Sequence, residues 1–461
     1  MDAISFGTDG WRATLETFTA PRVRMVGQAV ATHLREAGHS APVAVCYDAR
    51  ETSRGFAEEL ARVLAANGFD VLLPERDRPT PLLAWAIDER GLAGGLMVTA
   101  SHNPADYNGV KFIPDDGAPA LPEITESIEA SLAEPEPLPE EEWGTVREVD
   151  FVDSHAEHAR DLTAEYGSDT LDGLDIAYDA MHGSGRGVTD DLLSRAGASV
   201  ERLRCERRPD FGGTPPEPSA EHLSDLEARV RDGEASLGIA NDGDADRLAV
   251  VTPERGYLDE NLFFAALYDY LLESGSGPAV RTVSTTFLVD RVAEAHDEEV
   301  VETAVGFKWV ARAMAEHDAL VGGEESGGFS IRGHVREKDG VLVALLAAAA
   351  EYEQSLDDRV DRLLDEHGAI HQSKVSVECP ESEKTRVLDE LEGELPERVA
   401  GESVAEVVTE DGFKILLDSG GWLLVRPSGT EPVLRVYAEA ESQRRVEELL
   451  AAGRELVEPL V

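Results

Sequence analysis

Three aspartates alternate with small residues in Asn241-Asp242-Gly243-Asp244-Ala245-Asp246-Arg247. In an extended loop alternate side chains point the same way, so Asp242, Asp244 and Asp246 converge. Three converging carboxylates repel one another unless a cation joins them. Oxygen-only ligands select a hard ion, Mg²⁺ or Ca²⁺. An EF-hand loop is excluded, because Arg247 stands where its invariant glycine belongs and Pro253 where its bidentate glutamate belongs. Three carboxylates leave ligand positions open on Mg²⁺, and a phosphate oxygen is the usual occupant. A solvated acidic loop is the competing reading. The flanking apolar strands and the embedded arginine favour a built site.

A second turn, Thr99-Ala100-Ser101-His102-Asn103-Pro104, closes the apolar run Gly94-Gly95-Leu96-Met97-Val98. A serine at the end of a buried strand is displayed as a nucleophile or phosphate carrier, unless the turn merely ends the strand. Lys111, soon afterwards, is the first candidate for moving a proton and His102 the second. A third turn is Arg426-Pro427-Ser428-Gly429-Thr430-Glu431-Pro432. Its glycine and hydroxyl residues let backbone N–H groups converge on an anion, and arginine grips phosphate bidentately. Arg435, in the strand that follows, needs an anion or a carboxylate to meet it. A hairpin with a surface arginine is the plain alternative. Glu324 and Ser326, in Gly322-Gly323-Glu324-Glu325-Ser326-Gly327-Gly328, suit neutral sugar hydroxyls, although a plain turn fits equally. Gly306-Phe307-Lys308 opens a helix that can bring an ammonium to a phosphate.

Alternating strands and helices carry these turns. Pro42 to Tyr47, Phe69 to Leu73 and the run before Ser101 read as strands, with helices over Ser53 to Ala66 and Leu82 to Arg90. A second segment repeats the plan. Its Gly183-Ser184-Gly185-Arg186-Gly187 lacks the G-x-G-x-x-G spacing, so it reads as a strand–helix turn and not a dinucleotide site. A third segment repeats the plan again. After about Gly368 the pattern becomes mixed strands and helices, an α+β module. The fold class expected is therefore α/β, with three similar α/β/α mixed-sheet domains plus a C-terminal α+β domain. The boundaries expected are 1–145, 146–252, 253–368 and 369–461, with the proline- and glutamate-rich stretch Ala133 to Glu142 as the first solvated border.

The 461-residue chain carries 42 Lys+Arg against 92 Asp+Glu, a formal net charge of −50 that repels nucleic acid and anionic membranes. Lysine occurs only at 111, 308, 338, 374, 384 and 414. Acid excess with few lysines points to a protein of a salt-rich cytosol, a halophilic reading. Three scattered cysteines form no disulfide or zinc framework, and a cytoplasmic location is expected. The N-terminus has no basic region followed by an apolar core. The longest apolar run, Val341 to Ala350, is too short to span a bilayer and reads as one buried helix.

Taken together, Phe6-Gly7-Thr8-Asp9-Gly10-Trp11-Arg12, Thr99 to Pro104, Asp242 to Arg247, Gly323 to Gly327 and Arg426 to Pro432 resemble the α-D-phosphohexomutases in order and spacing. The resemblance implies four domains around a central cleft. It implies a phosphoserine at Ser101, whose phosphate oxygen joins Asp242, Asp244 and Asp246 on Mg²⁺. Glu324 and Ser326 match the sugar-reading positions. Arg426, Ser428, Gly429 and Thr430 match the loop that holds the substrate's own phosphate, and Arg12, Arg247 and Lys308 match cleft-lining positions. A hexose 1,6-bisphosphate is the implied intermediate and activator. The partner is a small-molecule hexose phosphate, with the chain a monomer or homodimer. Glucose and mannose phosphates lead as substrates, glucosamine phosphate follows, and a silent sugar-phosphate-binding regulator or a phosphatase are readings of other classes. Many relatives place histidine where Gly328 stands, so that contact is lost or supplied elsewhere, with His334 the candidate.

Overall fold

The computed structural model describes residues 4–7, 10–168, 170–429 and 431–461. Thr430, expected at the phosphate, lies outside the described residues, as do Thr8 and Asp9 of the first motif.

Four sheets carry the described chain. The first is mixed. Val43–Tyr47 and Gly94–Val98 run parallel at its centre, and Tyr107–Ile113 lies antiparallel to Gly94–Val98. The strand Tyr107–Ile113 carries Asn108-Gly109 just after its first residue. Gly109 is there for packing: a Cβ on it would stand 2.5 Å from Thr99 O. The register sets Lys111 opposite Met97, which aims the lysine from the strand next to the one that ends at the Ser101 turn. Val146–Glu148 pairs with Val71–Leu73, so the edge strand of this sheet lies past the border expected at 145.

The second sheet has five strands and the third four, both mixed. The hairpin partner Gly256–Leu258 completes the second sheet beyond the border expected at 252. The fourth sheet has six strands in antiparallel pairs, built over His371–Glu378 to Val433–Ala440 and covered by the helix Gln443–Val457. Three mixed sheets flanked by helices plus a distinct closing module is the α/β architecture read from the alternation.

The helix Gly340–Glu353 lies at the centre, with every residue from Gly340 to Ala350 buried. It is apolar on all sides because it packs against the helices Val152–Tyr166, Thr189–Arg195 and Glu260–Leu272. One continuous hydrophobic core joins an inner face of the first sheet, the second sheet and the third through this helix. The last sheet has its own core and packs on the third through a small apolar cluster around Val283, Trp422, Leu424 and Tyr437. Among the described residues no helix is long and apolar enough to cross a membrane.

Asp339 caps the central helix, its Oδ1 accepting from the N–H groups of Val341 and Leu342 at 2.8 Å. Its other oxygen accepts from His155 Nε2 at 2.6 Å and His334 Nε2 at 2.8 Å. Burial alone would raise this carboxyl, but the two imidazoles outweigh it and hold it far below the usual range. The His158 ring stacks on Trp85, centroids 3.9 Å apart, and the His334 ring lies 5.1 Å from His158 and 5.4 Å from Trp85. Burial, then the neighbouring His334 and His155, push His158 down to about 4, against weaker pulls upward from Asp339 and Asp161. A histidine lowered in the folded state binds its proton later than in the unfolded chain. Stability is therefore lost as pH falls from about 6.5 toward about 4. The expected result is a Tm that drops more steeply over this window in the wild type than in His158→Phe, whose ring keeps the stack without the proton. Parallel Tm–pH curves for the two proteins would remove His158 from the acid response.

Candidate active site

The strand Gly94–Val98 delivers Ser101 into a tight turn with φ +50°, a left-handed conformation that a non-glycine residue adopts at a cost. Arg50 holds that turn in place. It is 1% exposed, donates through Nε to Asp48 at 2.9 Å, and bonds the carbonyls of Ser101 (2.8 Å), Asn103 (2.7 Å), Pro104 (2.5 Å) and Tyr107 (3.1 Å). All five guanidinium donors are thereby used. The Ser101 N–H donates to Thr99 Oγ1 at 2.8 Å and the Ser101 hydroxyl to Asp242 Oδ2 at 2.7 Å.

The aspartate loop, the candidate metal loop, lies between the antiparallel strands Leu237–Asn241 and Leu248–Thr252. Asp242, Asp244 and Asp246 are wholly buried, with ligand oxygens within 4.8 Å of one another. Ala245 is also left-handed, at φ +54°. Gly243 has to be glycine, since a Cβ there would stand 2.5 Å from Ser101 O. The turn Gly183–Gly187 is the strand–helix turn expected, and it braces the loop: Ser184 donates to Gly243 O through its N–H (3.0 Å) and hydroxyl (3.2 Å). Burial, then Asp244 and Asp246, raise Asp242 well above the usual carboxylate range. Asp244 Oδ1 is buried with no hydrogen-bond partner. An orphaned carboxylate oxygen among three all-oxygen donors is what a hard divalent cation would satisfy, so these residues fit Mg²⁺.

Two lysines reach the same loop. Lys111 Nζ lies 3.3 Å from Asp244 Oδ2 and 2.9 Å from Asp246 Oδ2, and Lys338 Nζ lies 2.9 Å from Asp246 Oδ2. Lys111 Nζ thus lies between two carboxylates of this loop. His102 Nδ1 is 3.4 Å from Ser101 Oγ. Burial, with Arg247 and Arg12 nearby, holds this imidazole far below its usual range and therefore neutral. Arg12 Nη1 donates to Asn103 Oδ1 at 3.3 Å, on the Ser101 turn.

The loop from Gly322 to Gly328 is tied to the aspartate loop. Arg247 bridges Gly328, and Leu248 N–H donates to Gly327 O at 2.9 Å. Glu324 accepts from Gly306 N at 3.0 Å and from Ser326 Oγ at 3.3 Å, which brings the Lys308 helix to the same place. Burial raises Glu324 above its usual range, with Lys338 and Arg247 pulling the other way. His334 does not supply the histidine contact. It belongs to the Asp339 cluster, while a Cβ at Gly328 would stand 2.5 Å from Lys338 Cδ. Lys338 occupies the space that a side chain at 328 would take.

The turn that carries Arg426, Ser428 and Gly429 joins Trp422–Pro427 to Val433–Ala440. Ser428 is buried and Gly429 exposed. Arg426 Nε donates to Asp411 Oδ2 at 2.9 Å, and the same oxygen accepts from Val305 N–H at 3.0 Å, close to Lys308 in the chain. Arg435 pairs with Glu431 in the turn itself. Ser101, the three aspartates, Lys111, His102, Arg12, Arg247 and Glu324 therefore form one connected site. Arg426 is linked to it through Asp411 and Val305. Arg50, Lys338 and Asp411 were not anticipated. The one sequence signal for Lys338 was the scarcity of lysine.

Four family models, described as phosphoglucomutase/phosphomannomutase alpha/beta/alpha domains I, II and III and the C-terminal domain, match residues 3–138, 150–256, 259–367 and 375–456. A "Probable phosphoglucosamine mutase" of Methanopyrus kandleri is 34% identical over 96% of this chain and 95% of its own length. A phosphoglucomutase/phosphomannomutase of Thermococcus kodakarensis is 30% identical over 98% of each chain. A phosphopentomutase of the same organism is 31% identical over 99% of this chain and 98% of its own. A crystal structure from Thermus thermophilus, whose description names a phosphomannomutase, has a TM-score of 0.85 at 32% identity and covers 99% of both chains.

Proposed function

Because the chain is an isomerase of the phosphoglucomutase/phosphomannomutase family, we propose that it interconverts the 1- and 6-phosphates of glucose, mannose or both. The observation that carries this reading is Ser101 Oγ at 2.7 Å from Asp242, at the edge of a buried carboxylate triad wired to the Glu324 loop. Four working domains surround the site in this reading, with the borders expected at 145 and 252 moved past the edge strands Val146–Glu148 and Gly256–Leu258 and the third kept at 368.

In the resting enzyme Ser101 carries a phosphoryl group. Its Oγ–P bond breaks as a free hydroxyl of the bound hexose phosphate forms an O–P bond, and the hydroxyl proton finally resides on Ser101 Oγ. That hydroxyl then donates to Asp242, as in the unmodified chain. Lys111 is the first choice for the transient proton acceptor and His102 the second, since the burial and neighbouring arginines that lower the His102 imidazole make it a poor base. Mg²⁺ held by Asp242, Asp244, Asp246 and the phosphoserine would supply positive charge at the leaving oxygen. Glu324 and Ser326 accept and donate to sugar hydroxyls. Arg426, Ser428, Gly429 and Thr430 hold the phosphate that is not reacting, with Lys308, Arg247 and Arg435 as further cations for it. The 1,6-bisphosphate reorients, and its other phosphate returns to Ser101.

Glucosamine phosphate is the second reading. The buried Glu324 carboxylate suits an amine as well as a diol, and the Methanopyrus relative bears that name. Steady-state mutase assays with glucose 1-phosphate, mannose 1-phosphate and glucosamine 1-phosphate, with Mg²⁺ in molar KCl, decide among them. The salt suits the net charge of −50 and the halophilic reading. Isomer from the first two supports the proposal, and isomer from the third alone transfers it to glucosamine phosphate. Free phosphate without isomer from any of them would mean a phosphatase.

A further inference from the structure

Lys384 opens the helix Lys384–Glu394, far in sequence from the turn Arg426–Pro432. It is 4% exposed. Its ammonium donates to Ser428 O at 2.5 Å, to Glu431 O at 2.8 Å and to the Glu381 carboxylate. A lysine ammonium has three donors, and here all three are used. Taking that charge out of water is tolerable only because each donor is met. Two of the three bonds go to the backbone of one turn, on either side of the exposed Gly429.

The consequence for the turn follows from peptide geometry. Across a trans peptide the C=O and the next N–H point in opposite directions. The Ser428 carbonyl faces Lys384, so the Gly429 N–H faces away from it, on the open side of the turn. Glu431 precedes Pro432, which has no N–H, so the second bond anchors the far end without spending a donor. Further bonds close the turn on the same plan: Glu431 N–H to Ser428 Oγ at 3.2 Å and Ser428 N–H to Val433 O at 3.0 Å. A cation beneath a turn of N–H donors also deepens the positive field above it.

We propose that Lys384 is a positioning residue for phosphate binding: from behind the turn it fixes the carbonyls of Ser428 and Glu431 and so presents the Gly429 N–H to the substrate's non-reacting phosphate. The inference rests on the reading of this turn as the phosphate holder. Lys384 touches neither Ser101 nor the metal loop. Its loss therefore weakens the grip on phosphate and spares the chemical step.

The test compares wild type, Lys384→Met and Lys384→Arg, reading KM and kcat for the accepted hexose phosphate and inhibition by inorganic phosphate. In Lys384→Met, KM and the phosphate inhibition constant both rise about tenfold while kcat stays within about threefold, and Lys384→Arg falls between. A folded Lys384→Met with unchanged KM and unchanged phosphate inhibition overturns the proposal. So does a fall in kcat alone. Should Lys384→Met not fold, Lys384→Arg carries the same comparison, its guanidinium retaining charge but not the fit to both carbonyls. Absence of mutase turnover in the wild type would count against the proposed function instead. Inorganic phosphate binding, followed by calorimetry, then still reads the turn.

Discussion

Ser101→Ala folds and loses mutase turnover by at least about 10⁴-fold, because the oxygen that carries the phosphoryl group is gone and no neighbouring hydroxyl replaces it. The wild type as purified carries one phosphoryl group on the peptide containing Ser101, and the variant none, by intact-protein and peptide mass spectrometry. The fold survives because the substitution removes only the hydroxyl, whose bond to Asp242 contributes about 1 kcal/mol. The turn itself is set by Arg50 through four backbone carbonyls that the substitution leaves alone. Turnover in Ser101→Ala within tenfold of wild type would end the phosphoserine mechanism.

Chelation of divalent metal abolishes turnover, and Mg²⁺ restores it. The expected effect extends to stability, since an ion bound only by the folded chain stabilises it by about 2.7 kcal/mol at a hundredfold excess over its dissociation constant. A Tm that climbs by several degrees with Mg²⁺ is the readout. Asp244→Asn removes most of that climb, because Asp244 contributes the buried oxygen that has no other partner. Acid weakens the effect as well. Burial and the neighbouring carboxylates already raise Asp242, so protons compete with the ion at a higher pH than for an ordinary carboxylate. Full activity after exhaustive chelation, with a Tm indifferent to Mg²⁺, would dismiss the metal site.

The local parts of this site were legible in the sequence, and the parts made by distant segments were not. Alternating aspartates, a serine at a strand end and a glycine–hydroxyl turn each have a chemical meaning within seven residues. Arg50 has none until the carbonyls of Ser101, Asn103, Pro104 and Tyr107 gather around it. The strand Tyr107–Ile113 hid behind Asn108-Gly109 because glycine signals a turn in sequence, whereas here it admits the Thr99 carbonyl. His334 is the histidine nearest Gly328 in the chain, which made it the natural substitute. The space at Gly328 is instead taken by Lys338, a longer side chain ten residues on. The alternation of strands and helices did yield the layered sheets. The helix Glu260–Leu272 escaped because all but its first and third residues are buried, which erases the amphipathic period.

The placement of the lysines has a consequence for chemical modification. Lys111, Lys338, Lys384 and Lys414 are buried, Lys308 is half-buried, and Lys374 is exposed. Each of the four buried amines is engaged: Lys111 and Lys338 with the aspartate loop, Lys384 with the carbonyls of Ser428 and Glu431, and Lys414 with Glu302 across the join between the third and fourth sheets. To an acylating or cross-linking reagent the lysines of the native surface are thus reduced to Lys374 and part of Lys308. Deeper amine labelling requires either the cleft or the last domain to open. The rarest charged side chain in this acidic protein thus reports, by its reactivity, on exposure of the aspartate loop and of the join between the last two sheets.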